Sequence, residues 1–215
     1  MTAGVTQRGS DNLPLGSVVT PGIALPAALQ GGTQTTDANG VTTAPGVMAL
    51  SDGFKATYSA CVTNQIPVTT AGDCFVLTGS ATKIVRLTRV QVTGTATTAT
   101  TLDVTLVRRS TADSAGTSTT PTIVKHDSGS AAATAVAKAY TVAPTAGTLV
   151  GAICSEKLLL AVPAASGGES QVEWIFGNRP AQSPVLRGIL EFFAITISAI
   201  PAGGSMNISF EWSEE

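Results

Sequence analysis

Residues Thr82 to Ser110 read TKIVRLTRVQVTGTATTATTLDVTLVRRS, a stretch that admits few structures. In its second half Leu102, Val104 and Leu106 alternate with Asp103 and Thr105. A two-residue period puts successive side chains on opposite faces, so this is a strand with one buried face. In the first half Val85 and Leu87 hold one phase, while Val90 and Val92 hold the other. A phase flip inside a strand predicts a bulge, which bends the strand and raises its twist. β-Branched residues crowd both halves, as a pleated, half-buried surface favours. The stretch is expected to form a hairpin of two central strands joined by a Thr/Ala-rich turn.

Further strands are expected on either side. Ala56–Val62 and Asp73–Thr78 precede the hairpin. The loop STADSAGTSTTP follows it, closed by Pro121, and leads to a short strand over Pro121–Asp127. SGSAAATAVAKAY suits helix or strand by composition; alternation of Val136, Lys138 and Tyr140 with alanines favours strand. Glu156–Val162 is an apolar run expected to be a buried strand, and Ser170–Phe176 puts Val172, Trp174 and Phe176 on one side. Val185–Ile200 is expected to be one long strand bent at Gly188. Ser205–Trp212 alternates most cleanly, with Met206, Ile208, Phe210 and Trp212 inward. Nine or ten short strands separated by Gly/Pro/Ser turns predict an all-β chain, an antiparallel β-sandwich. A jelly roll of two four-stranded sheets would use eight of them.

Residues 1–52 differ from residues 53–215, the expected sandwich. They hold Pro14, Pro21, Pro26 and Pro45, and no strand-length alternation survives these breaks. Their charge is low and apolar pieces recur, which is not the composition of a disordered segment. They are expected to be an extended arm that orders on another subunit, burying Val18, Val19, Ile23, Leu25 and Leu29 there; a floppy tail is the alternative.

Charge narrows the function. Only 12% of residues are charged, about half the usual share, and mean hydropathy is +0.30. Such a surface is expected to be covered by partners, in an oligomer or larger assembly. The net charge of −2 does not suit a nucleic-acid binder. Between Gly53 and Ser155 eight basic residues face four acids; from Glu156 onward seven acids face three bases. This asymmetry suits head-to-tail contacts between copies or docking on an acidic partner, as well as plain scattered charge. Arg86, Arg89, Arg108 and Arg109 lie at the end of the hairpin away from its turn. They suit cross-pairing with a neighbour's acids, or a solvated edge that discourages aggregation.

Chemistry is harder to find. His126 is the single histidine, and its neighbour Asp127 faces away from it on a strand, so no catalytic triad is expected. Three cysteines, Cys61, Cys74 and Cys154, are an odd set without metal-ligand spacing. Cys61 and Cys74 suit a pairing across a hairpin, but buried free thiols are the expectation. No cofactor or metal is expected. Glu173, Glu191 and Glu211 fall on separate strands and two of them can converge. Glu191 is the acid expected to be partly buried, paired with Arg187 or a hairpin arginine. Trp174 and Trp212 fall on apolar faces and are expected in the core. The N-terminus lacks a signal-peptide core and no run of eighteen apolar residues occurs, so a cytoplasmic origin and no membrane span are expected.

The run SATKIVRLTRVQVTGTATTATTLDVTLVRRSTADSAGTST, with ILEFFAITISAIPAGGSMNISFEW, resembles structural proteins of tailed-bacteriophage particles. The resemblance covers roughly the last 160 residues and is one of texture: Thr/Ala/Gly-rich strands, few charges and an apolar arm. It implies a capsid decoration or cement protein, jelly-roll-like and often a homotrimer, on the exterior of the virion. Its partner would be the major capsid protein. A tail-fibre or receptor-binding sandwich that recognises a cell-surface glycan is the alternative.

Overall fold

The computed structural model describes residues 55–66, 70–163, 171–177, 183–198 and 203–215, and the backbone of 35–36 and 42–43. The chain divides into two units, Met1–Ser51 and Asp52–Glu215. In the first, β1 (Thr35–Thr36) pairs antiparallel with β2 (Thr42–Thr43). Val18, Val19, Ile23, Leu25 and Leu29, the expected contact residues of the arm, lie outside the described residues.

The second unit is an antiparallel β-sandwich of two six-stranded sheets. Its strands are β3 (Ala56–Gln65), β4 (Gly72–Thr78), β5 (Val85–Thr95), β6 (Thr100–Arg109), β7 (Thr117–Thr119) and β8 (Ile123–Lys125). There follow β9 (Val136–Val142), β10 (Leu149–Leu160), β11 (Gln171–Ile175), β12 (Val185–Leu186), β13 (Phe192–Ile197) and β14 (Ser205–Glu214). The first sheet runs β10-β6-β13-β4-β9-β7. The second runs β11-β5-β14-β3-β8, with β12 also paired to β5. Each sheet exceeds the four strands expected. The surplus comes largely from β7, β8 and β9, which extend the two sheets beyond β4 and β3.

Alternation places the core where the sequence put it. Met206, Ile208, Phe210 and Trp212 of β14 are buried, as are Leu102, Val104 and Leu106 of β6. The phase flip in β5 is a bulge: Arg89 pairs with Glu211 and Leu87 with Trp212, leaving Thr88 as the extra residue. The bulge lets Val85, Leu87, Val90 and Val92 all reach the core. Each large side chain buried in this way contributes roughly 1.5–3 kcal/mol.

Three expectations are corrected. The stretch Thr82–Arg109 is not a hairpin, because β5 belongs to the second sheet and β6 to the first. Both strands are interior in their sheets, but the Thr/Ala-rich turn carries the chain from one layer to the other. Each strand can then turn its apolar face to the space between the sheets. Residues 185–200 do not form one strand. β12 ends at Leu186 in the second sheet, and β13 begins at Phe192 in the first. Gly188 to Glu191 make the crossing, closed by a hydrogen bond from the Glu191 N–H to the Gly188 carbonyl. Residues 156–162 are not a buried strand. Glu156 to Leu160 are the end of β10, at the edge of the first sheet, where Leu158 and Leu160 are buried but Leu159 is exposed, and Ala161 and Val162 lie past the strand.

The outer face of the first sheet is also covered. Val76, Val107, Phe192 and Ala194 are buried there, behind the inward row of Phe75, Leu77, Leu106, Phe193 and Ile195. β4 and β13 therefore read as near-continuous apolar runs rather than alternating ones, as strands buried on both faces do.

Candidate functional site

The outer face of the second sheet carries a charged groove of about 280 Å³, lined by Lys55, Arg86, Arg89, Phe176, Ser183 and Glu211 among others. β5, β11 and β14 position its charges. Arg89 lies opposite Glu211 of β14, and Glu173 of β11 lies opposite Gln91, two residues along β5. The Arg89 guanidinium donates from Nε to Glu173 Oε1 at 2.7 Å and from Nη1 to Glu211 Oε1 at 3.3 Å. A third donation runs from Nη2 to Gln91 Oε1 at 3.1 Å. Hydrogen bonding to Glu173 holds Arg89 above its ordinary range. At the same end of the sheet Glu215 Oε1 accepts from Lys55 Nζ at 2.7 Å and Arg86 Nε at 2.9 Å. These two cations, Lys55 first, keep the Glu215 carboxyl below the usual carboxylate range.

This arrangement limits its own chemistry. Glu173 and Glu211 do converge, but with a guanidinium between them. Glycoside hydrolysis needs one carboxyl kept protonated and a second free to act as base or nucleophile. Here each carboxylate is already an acceptor for Arg89. Exposed pairs of this kind stabilise a fold by about 0–1 kcal/mol each. They can exchange partners at small cost, which suits recognition better than bond breaking.

The other two arginines of the expected contact set also have partners within the chain. Arg108 Nη2 lies 2.8 Å from Glu191 Oε1, and Glu191 Oε2 accepts from the Arg187 N–H at 2.7 Å. The pairing of Glu191 with an arginine from the Thr82–Ser110 stretch is thus as expected, though both side chains stay about a third exposed. Arg109 is buried. It donates from Nε and Nη2 to the two oxygens of Asp73, the latter at 2.7 Å, and from Nη1 to the Gly147 carbonyl at 2.8 Å. Asp73 also accepts from Thr196 Oγ1. Asp113 sits beside this pair, its Oδ1 accepting from the Gly147 N–H at 2.9 Å and lying 3.9 Å from Arg109 Nε.

A second buried acid, Glu214, clasps the segment before β9 onto the end of β14. Its carboxylate accepts from the N–H groups of Thr134 and Ala135 and from Thr134 Oγ1, at 2.7–3.0 Å. Trp212 Nε1 donates to it at 3.2 Å, and Lys83 Nζ lies 3.7 Å away. Burial alone would push this carboxyl up, but the hydrogen bonds from Ala135, Thr134 and Trp212 outweigh it and hold it below its ordinary range. Glu214 continues the inward phase of Met206, Ile208, Phe210 and Trp212, so the same alternation, carried two residues past the expected end of the strand, marks this acid as facing the core.

The remaining candidates fall as follows. His126 is exposed at the end of β8, its backbone N–H donating to the Thr57 carbonyl. Both tryptophans lie in the core, with Trp174 Nε1 donating to Glu156 Oε1 across the sheets at 2.9 Å. The cysteines are free, but only Cys74 is fully buried; Cys61 is exposed and Cys154 half-buried. Among the described residues no group of three or more His, Cys, Asp or Glu side chains is placed to hold a metal ion. No described helix is long and apolar enough to cross a membrane.

Exposed apolar side chains gather along β10. Leu149 is 57% exposed, Val150 60%, Leu159 45% and Ile153 37%. The first half of the strand is exposed on both faces, and its pairing to β6 is broken by two bulges. Ile189 and Leu190 stand exposed in the β12–β13 crossing, and Ile175 at the end of β11.

No protein-family model, curated protein or solved structure matches this chain.

Proposed function

We propose that this chain is a non-enzymatic structural protein of a virus particle, of the capsid decoration or cement kind. In this reading it binds on the lattice of the major capsid protein, as a homotrimer on the capsid exterior. The observation that carries the reading is β10, a twelve-residue edge strand with Leu149, Val150, Ile153 and Leu159 exposed. A long apolar edge is an aggregation hazard for a protein that works alone, and an asset for one that is packed against neighbours. The strand order adds support. With β7–β9 and the two-residue β12 set aside, the second sheet reads β3-β14-β5-β11 and the first reads β4-β13-β6-β10. Numbered one to eight along the chain, these are orders 1-8-3-6 and 2-7-4-5, which support reading the sandwich as jelly-roll-like. The test is co-sedimentation of the purified chain with assembled capsid shells and with free capsid subunits. Binding to shells alone supports the reading; no binding to either contradicts it.

A second reading has one observation in its favour. The groove around Arg89 offers paired carboxylates, guanidinium groups and the half-buried Phe176, groups that can hydrogen-bond and cover a sugar ring. In that reading the sandwich is a receptor-binding module for a cell-surface glycan. Glycan-array binding that R89A abolishes would favour it over the decoration role.

A further inference from the structure

The Asp73–Arg109–Asp113 cluster contains one polar atom without an account. Asp113 Oδ2 is buried and has no hydrogen-bond partner, while every oxygen of Asp73 and the other oxygen of Asp113 has one. The side chains of Asp73, Asp113 and Arg109 are 0%, 2% and 8% exposed. Two ionised carboxylates facing one guanidinium would leave a net negative charge out of water, with an acceptor oxygen unsatisfied. Taking an unpaired ion out of water in this way is strongly unfavourable. Like charges in such a site resolve the conflict by sharing a proton.

We infer that Asp113 is held protonated, its Oδ2–H donating to Asp73, and that this single proton latches the loop after β6 to the loop before β10. One proton satisfies the orphaned oxygen, brings the cluster to neutrality and leaves Asp113 Oδ1 free to accept from Gly147. Asp73 and Asp113 face the same Arg109 Nε, which donates to Asp73 Oδ2 and lies 3.9 Å from Asp113 Oδ1, and burial together with the Asp73 charge pushes the Asp113 carboxyl above the ordinary range. The groups facing the pair are Arg109 from β6, Tyr140 from β9 and the Cys74 thiol beside Asp73 on β4. Burial and the two aspartates push the Tyr140 hydroxyl up to about 12, so neither it nor the buried thiol supplies a charge near neutral pH.

The latch restrains a turn under strain. Two residues past Asp113, Ala115 holds φ at 56°, a left-handed conformation that strains a residue with a Cβ. Gly116 follows at φ 71°. Ser114 and Thr145 exchange backbone hydrogen bonds at 3.0 and 2.7 Å, and Thr111 Oγ1 accepts from the Thr148 N–H at 2.7 Å. Gly147 fits only because it has no side chain: a Cβ there would collide with the Thr111 carbonyl. When the proton leaves to solvent, Asp113 and Asp73 repel, and the Gly147 N–H is left with an acceptor that is driven out. The loops part directly before Leu149 and Val150, the exposed start of β10. The geometry is therefore a loop fastening that weakens as pH rises.

The sign follows from linkage. The native state holds this proton more tightly than the unfolded chain does. Its contribution is complete below the ordinary aspartate range and is lost as pH rises through the folded titration. The experiment is amide hydrogen exchange of Gly147 in the full chain from pH 5 to 9, corrected for the intrinsic rate, in wild type and D113N. The side-chain amide that D113N introduces keeps an acceptor for Gly147 and a permanent donor for Asp73. Wild-type protection should fall with pH, by up to about tenfold per unit through the titration, while D113N stays flat. Equal pH dependence in the two proteins would overturn the proposal. If D113N does not fold, the carboxyl carbon shift of Asp113 in the wild type decides. Titration well above the ordinary aspartate range supports the shared proton, and titration at or below that range refutes it.

Discussion

Phe75 of β4 and Phe210 of β14 stack with their centroids 4.8 Å apart and their planes inclined by 19°. One ring comes from each sheet, and both are fully buried. The contact joins the layers at the centre of the sandwich, where β4 and β14 are each flanked by a strand on both sides. F210A should therefore destabilise the fold by about 3–5 kcal/mol, the usual cost of truncating a buried phenylalanine. Denaturant unfolding with an unchanged slope would measure it.

The Arg109 site should be as sensitive for a different reason. R109M leaves Asp73 and Asp113 buried without a cation, and breaking a buried pair costs about 3–5 kcal/mol. R89M, at a site more than a third exposed, should shift stability by less than about 1 kcal/mol. Parallel urea titrations of the two variants test the contrast.

Glu214 makes an acid-side prediction. Its folded carboxyl lies below its ordinary range, so its contribution is complete above the ordinary glutamate range and is lost as pH falls through the folded value. E214Q should remove that dependence. At pH 7 it should cost about 1–3 kcal/mol, because an amide sets a donor against the N–H groups of Thr134 or Ala135. Thermal unfolding from pH 2 to 7 reads both effects.

Thiol reactivity should separate the cysteines. Under native conditions Cys61 should react quickly with an aromatic disulfide reagent. Cys74, buried and with its thiol pushed upward by desolvation, should react only on unfolding. Three reactive thiols in denaturant without reductant would confirm that none is bridged.

These tests also mark what was legible in the residues. β14 was readable throughout, because both flanking strands and the core enforce its alternation. The bulge at Thr88 was readable because a bulge is the way a strand changes phase and keeps one face buried. The crossing between β5 and β6 was not. A hairpin and an inter-sheet turn need the same alternation, and only the partner strands distinguish them. The run from Glu156 misled for a related reason, since apolar content does not say whether a strand is central or at an edge. Glu191 could be matched to an arginine, because an acid in an apolar phase needs a cation. Asp73 and Asp113 could not be matched, because Asp113 and Gly147 reach the Asp73 end of β4 on loops that carry no periodic signal.

The most direct measurement of the central claim is sedimentation velocity on the purified chain, beside a variant carrying V150K and I153K on β10. Both positions are exposed, so the substitutions should leave the fold intact. The wild-type chain should sediment as a concentration-dependent oligomer, and the variant should shift toward monomer with unchanged unfolding. A wild-type chain that stays monomeric at every concentration, and is indistinguishable from the variant in binding assembled shells, would contradict the claim that this protein works through neighbours packed on its apolar edge.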